Sequence, residues 1–188
     1  MKHLESRIRD LLSASPRRVE EKPAVGEAAV LVSILNGASG PQFLLTRRTD
    51  DVPTHKGQIS FPGGIRKSGD RSLQSTALRE TEEEIGVDRN RIRVLGAFHD
   101  FVAISGHRVT PFVGVLPGDD PLRPQAEEVA YLLKIPVEFF QNTRPEIRIL
   151  NRFGADVEVC YYHYGEETVW GLTARIIHDL LQELKLEK

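Results

Sequence analysis

Residues 63–87, GGIRKSGDRSLQSTALRETEEEIGV, constrain this chain more than any other stretch. A glycine pair opens it, a polar loop follows, and the remainder fits a helix ending in Arg79-Glu80-Thr81-Glu82-Glu83-Glu84. At about 100° per residue, Glu80, Glu83 and Glu84 fall on one arc of that helix, while Glu82 faces away. Leu73, Ala77, Thr81 and Ile85 recur every four residues on the neighbouring arc and face a core. The carboxylates therefore lie beside the buried stripe, with Glu84 nearest its edge.

Like charges three or four residues apart repel, by roughly 0.2–0.5 kcal/mol per pair on an exposed helix. Periodicity alone leaves two readings open. In one, this is a solvated acidic face with Arg79 as partial counter-ion. In the other it holds a cation: hard divalent ions take oxygen ligands, and magnesium commonly uses one or two carboxylates with waters and substrate phosphates. Phosphate-bearing substrates need such neutralisation.

A chain of 188 residues with 40% hydrophobic and 28% charged residues is expected to form one soluble domain, 1–188, with a real core. Its net charge of −2 sets up no field that recruits nucleic acid or anionic membrane, so a polyanionic ligand needs a local basic site. Cys160 stands alone, which excludes an internal disulfide, and between Val159 and Tyr161 it reads as a packed strand residue. No run reaches the length of a membrane span, and the first residues are charged rather than signal-like, so the cytoplasm is the expected location. Oligomeric state is left open.

Residues 3–14 place Leu4, Ile8, Leu11 and Leu12 at helical spacing. A polar, proline-bounded link runs from Ser15 to Pro23. Residues 28–35, AAVLVSIL, read as a strand buried on both faces, with residues 43–46 as its hairpin partner across the turn at 36–41. Residues 47–61 are polar and basic enough to line a site, and Pro62-Gly63-Gly64 reads as a turn. Residues 91–98 and 108–116 are predicted strands, Pro111 pointing to an edge or a bulge in the second. Residues 127–135 are taken as a strand, 137–141 as a helical turn, and 147–153 with 157–164 as a hairpin. Residues 168–171 lead into a last helix, about 172–184. Strands interleaved with a few well-separated helices imply a mixed sheet between helical layers, an α/β (α+β) class.

The stretch resembles the signature of the Nudix hydrolases, G-x5-E-x7-R-E-U-x-E-E-x-G-U, with U a bulky aliphatic residue. Gly64, Arg79, Glu80, Glu83, Glu84, Gly86 and Val87 match. Asp70 occupies the first acidic position, one residue further from Arg79 than the pattern has it, and Thr81 replaces an aliphatic. Upstream, residues 44–64 are similar to the added pattern of the coenzyme A branch of that family, L-L-T-x-R-[SA]-x3-R-x3-G-x3-F-P-G-G. Leu44, Leu45, Thr46, Arg48, Gly57, Phe61, Pro62, Gly63 and Gly64 match, whereas Thr49 and Pro53 depart, Pro53 standing where arginine is usual.

The resemblance implies a Nudix-type α/β/α sandwich and hydrolysis of the diphosphate of coenzyme A or acyl-coenzyme A with Mg2+ or Mn2+. It implies metal ligation by Glu80, Glu83 and Glu84, a catalytic set of these with Arg79 orienting them, and substrate contacts from Arg47, Arg48, His55, Lys56, Gly63 and Gly64. The general base stays open between Glu83 and a residue on a distant loop. ADP-ribose, a dinucleotide or a nucleoside triphosphate is the alternative substrate, and a non-catalytic binding module the third reading. His55 and Lys56 also read as solvated loop residues, His107 as a loop hydrogen-bonder or a site residue, and His178 as structural. Phe98, Phe101 and Phe112 read as core.

Overall fold

The computed structural model describes residues 1–14, 16–21, 24–38, 40–50, 57–118, 121–152 and 154–186. In chain order these form α1 (Lys2–Ala14), β1 (Glu27–Gly37), β2 (Gly40–Arg48), β3 (Ile59–Ser60), β4 (Gly63–Ile65), α2 (Leu73–Ile85), β5 (Arg93–Ala97), β6 (Phe101–Val102), β7 (Arg108–Val115), β8 (Val129–Pro136), α3 (Val137–Asn142), β9 (Glu146–Arg152), β10 (Ala155–Tyr164), β11 (Glu167–Trp170) and α4 (Gly171–Leu186). A 3-10 turn at Arg89–Arg91 precedes β5. The strand expected from residue 91 therefore starts at Arg93, because Asp88 caps that turn by accepting the Asn90 N–H. Among the described residues no helix is long and apolar enough to cross a membrane.

β1 is central. It pairs in parallel with β7, from Glu27 opposite Arg108 to Ile34 opposite Val115. Its other edge is shared: β4 pairs with its first half and β2 with its last, both antiparallel. β3 and β8 extend the sheet beyond β2, and β5 and β6 beyond β7. The sheet is mixed and covered on both faces, which is why β1 reads as an unbroken apolar run. Ala29, Leu31 and Leu35 face one cluster with Ala77 and Ile85 of α2. Val32 and Ile34 face the other, with Ile8 and Leu11 of α1 and Ile176, Ile177 and Leu180 of α4. A separate three-stranded sheet, β11–β10–β9, adds Cys160, Tyr162 and Val169 to that second core. Burial pushes the Cys160 thiol up, as suits a packing role.

Three local expectations are corrected. Gly63 and Gly64, read with Pro62 as a turn, lie in β4 against β1. Residues 168–170, read as a lead into the last helix, belong to β11. β7, read as an edge or bulged strand because of Pro111, lies between β1 and β5. The irregularity falls instead in its partner, between Val94 and Gly96. The Pro111 carbonyl accepts the Phe98 N–H where β5 has ended and β6 has not begun. A strand residue's nitrogen and carbonyl point the same way, so the missing donor faces Phe98, just past the end of the β5–β7 ladder, and costs that ladder no bond.

The linker after α1 is held. Arg17 pairs with the buried Asp100, which also accepts from Thr110. His99 Nδ1 accepts the Arg18 N–H while its Nε2 lies 3.0 Å from Glu183. His178 Nδ1 sits 3.2 Å from the Tyr162 hydroxyl, within the α4 packing.

Candidate active site

The site grows from the point where the edge of β1 passes from β4 to β2. Gly63 and Gly64 lie opposite Val30 and Ala29; main-chain atoms of β1 leave no room for a side chain at Gly63, and at Gly64 one would displace Glu80. A Cβ on Gly63 would stand 2.4 Å from the Ala29 carbonyl oxygen, and one on Gly64 2.6 Å from Glu80 Cδ. The Glu80 carboxylate thus lies directly on the bare backbone of β4.

α2 starts after a turn that takes up the extra residue. Asp70 N–H donates to the Lys67 carbonyl, and Lys67 N–H to Asp70 Oδ2 at 2.9 Å. Ser72 then caps the helix reciprocally with Ser75, a device worth about 1 kcal/mol. Gly86 ends it at φ 74°, its N–H on the Glu82 carbonyl, in the left-handed region that favours glycine. Thr81, the non-aliphatic departure, is fully buried and donates to the Ala77 carbonyl at 2.7 Å.

Arg79 ties the acidic residues together. Its Nε and Nη2 each lie 2.9 Å from an Asp70 oxygen, a bidentate pair, and its Nη1 reaches Glu80 at 2.6 Å and Glu83 at 2.9 Å. The guanidinium holds Asp70 well below the usual aspartate range, against the opposing effect of burial. Asp70, offset by one residue from the pattern, thereby anchors the arginine that orients the carboxylates.

Glu84 stands apart from that network. Only 4% exposed, it accepts from Thr46 Oγ1 at 3.4 Å and from the Gly63 N–H. Burial pushes its carboxyl up to about 8; Arg48 and the Gly63 N–H oppose the rise, and Glu80 and Glu128 add to it. A carboxyl this dry, with two more carboxylates in reach, calls for a positive partner to ionise at neutral pH. The donor set is all hard oxygen and suits magnesium or manganese rather than zinc. Among the described residues no three acidic, histidine or cysteine side chains come together closely enough to hold a metal ion between them. Magnesium commonly takes only one or two carboxylates, the rest of its shell being waters and substrate oxygens.

Across from α2, Arg48 lies 3.8 Å from Glu128, and its Nε is buried without a hydrogen-bond partner among the described residues. That donor is chemically ready for an anionic oxygen. Glu128 was not singled out from sequence. Its loop is docked on the end of α2, the Arg123 and Gln125 N–H groups donating to the Ile85 and Glu84 carbonyls. Thr49 N–H in turn donates to the Glu128 carbonyl. No local pattern signals such a long-range contact.

The remaining expected residues scatter. Arg47 lies over the Tyr131 ring, 5.5 Å from its centroid. Glu83, more exposed, is shared between Arg79 and Lys67. His55, Lys56 and Pro53 lie outside the described residues. His107 Nδ1 is 3.0 Å from Ser105 Oγ, within its own loop.

A NUDIX domain profile matches residues 26–148. A Photorhabdus laumondii protein named uncharacterized Nudix hydrolase NudL is 36% identical over 176 residues, 93% of this chain and 92% of its own length. The protein of that name from Yersinia pestis is 41% identical over 160 residues, 85% of this chain and 80% of the relative. Among solved structures, a MutT protein from Methanosarcina mazei Go1 superposes with a TM-score of 0.54 at 19% identity, covering 89% of this chain and 97% of that one. A C. elegans Ap4A hydrolase in binary complex gives 0.52 at 21% identity, over 60% and 81%. At such identities these two speak for the fold alone. The profile and the near full-length relatives do more: the chain belongs to the Nudix family and is a pyrophosphohydrolase.

Proposed function

We propose that this hydrolase, acting as a single cytoplasmic domain, cleaves the diphosphate of coenzyme A and its acyl derivatives. Water adds at one phosphorus and the bridging P–O bond breaks, releasing 3',5'-ADP and 4'-phosphopantetheine or its acylated form. One observation supports this reading most: the buried Glu84 faces a strand carrying Thr46 and Arg48, beside a Glu80 carboxylate laid on bare glycine backbone.

A Mg2+ or Mn2+ ion held by Glu80, Glu84 and Glu83 would neutralise diphosphate charge and lower the pKa of a bound water. The chain's own groups do the rest. Arg79, anchored by Asp70, fixes the directions of Glu80 and Glu83. Arg48 offers its free Nε to a phosphate oxygen, and β4 lets the substrate approach the main chain closely. Glu83 and Glu128, both solvent-accessible carboxylates, are able to take the proton of the attacking water.

Residues 44–64 support coenzyme A as the substrate. Pro53, where the coenzyme A pattern carries arginine, favours a second reading in which ADP-ribose, a dinucleotide or a nucleoside triphosphate is cleaved. Identifying the products from coenzyme A, dephospho-coenzyme A and ADP-ribose with magnesium or manganese separates them. Fast release of 3',5'-ADP from coenzyme A is expected, and equal rates on all three would remove the substrate assignment.

A further inference from the structure

Lys67 stands on the turn before α2, its main chain fixed by the carboxylate that anchors Arg79. Asp70 Oδ2 accepts the Lys67 N–H at 2.9 Å and also the Thr76 hydroxyl at 3.0 Å, while the Lys67 carbonyl accepts the Asp70 N–H. The side chain is not held in this way. It is 62% exposed, and its Nζ lies 3.5 Å from Glu83 Oε2. Arg79 Nη1 donates to that same oxygen at 2.9 Å. Two cations thus share one carboxylate oxygen, and they differ in how firmly they are tied. Arg79 is 12% exposed and gripped by both Asp70 oxygens. Lys67 is a hydrated point charge on a flexible stem.

We propose that Lys67 is a phosphate-binding residue, which holds Glu83 in the metal-free protein and passes to a diphosphate oxygen of the substrate once Glu83 ligates a divalent cation. With Glu83 so engaged, Lys67 is left beside a like charge, and repulsion over a few ångströms displaces the more loosely held of the two side chains. The charge balance of the site gives it a destination. Among the described residues of the site, five carboxylates, Asp70 and Glu128 included, outnumber the guanidiniums of Arg48 and Arg79 by three. A divalent ion leaves one negative charge in excess against an incoming diphosphate, and Lys67 cancels it. Lysine binds phosphate as a point charge without a fixed angle of approach, which suits a side chain swinging from a turn. Arg48, whose charge acts on Glu84 from β2, and Lys67, beside Glu83, then bracket the carboxylate row. The inference rests on the metal reading above and not on which diphosphate is cleaved.

Calorimetry on the full chain with two titrants tests this. Magnesium alone should bind Lys67→Ala about two- to fivefold more tightly than wild type, which is what one exposed ion pair is worth as a competitor. α,β-Methylene-ADP, whose bridging carbon resists hydrolysis, should bind the same variant about tenfold more weakly at saturating magnesium. Lys67→Arg should recover most of that loss. The opposite signs exclude the plainer roles. A lysine that only braces the turn would lower both affinities on removal, and a solvated one would move neither; either result would overturn the inference, as would a Lys67→Arg variant as weak as Lys67→Ala. A wild type that takes up no magnesium would overturn the metal reading first, and this inference with it.

Discussion

The carboxylates of α2 divide by what surrounds them. Glu84 is almost dry and its carboxyl is pushed up to about 8, so without a cation its neutral form fits the fold. Glu84→Gln should therefore leave the melting temperature nearly unchanged while lowering kcat on the order of a hundredfold or more; calorimetry should show weakened cation uptake. Asp70 behaves oppositely. Its folded pKa lies below the ordinary 3.8 because of the Arg79 guanidinium. As pH falls, the unfolded chain takes up the proton first, so the stabilisation is present above about pH 4 and fades below it. Asp70→Asn should flatten that acid limb and reduce stability at pH 7 by about 2 kcal/mol, since the partly buried arginine loses its bidentate carboxylate and keeps Glu80, Glu83 and the Ile65 carbonyl. Denaturant titrations across pH would check both. Glu128→Gln should lower kcat, as expected for a group that takes the proton of the attacking water, with no change in melting, because its pair with Arg48 spans 3.8 Å and the carboxylate is half exposed.

At the level of elements, β4 supplies two glycines with different tasks. Gly64→Ala places a methyl against the end of a side chain, which can swing away; the fold should survive while metal affinity drops about tenfold through a displaced Glu80. Gly63→Ala meets main-chain atoms of β1 instead and should cost about 3 kcal/mol of stability, visible in thermal melts. α2 was legible from residues alone: its acidic arc, its buried stripe through Ala77 and Ile85, and its stop at Gly86 all follow from local chemistry. The burial of Glu84 exceeds what periodicity places there, because its carboxylate is met by Thr46 and Arg48 of β2 and the Gly63 N–H of β4, which the helix's own residues do not announce. Pro111 misled for a related reason: whether a missing donor matters depends on what lies across the ladder, and a strand's neighbours are not written in its own residues. β4 and β11 escaped because strands of three or four residues have too few positions to display alternation.

In the whole molecule, the sheet separates the α2 face, with its polar rim, from the packed α1–α4 side. Cation binding should then stabilise the fold with little rearrangement: magnesium at 100 times its dissociation constant adds about 2.7 kcal/mol. Thermal melts with and without chelator should show the shift, and chelator should abolish hydrolysis. The layered architecture was visible in the order of apolar runs, whereas the second sheet and the Glu128 loop depend on long-range pairing. The parallel partnership of β1 with β7 carries a further implication for biosynthesis. A nascent chain on the ribosome holds β1 with one flank unfilled until Val115 has emerged, and α1 lacks its helical cover until α4 follows. Pulse-proteolysis of stalled chains should therefore find protection arising late and abruptly, and chaperone occupancy highest over the apolar run 28–35.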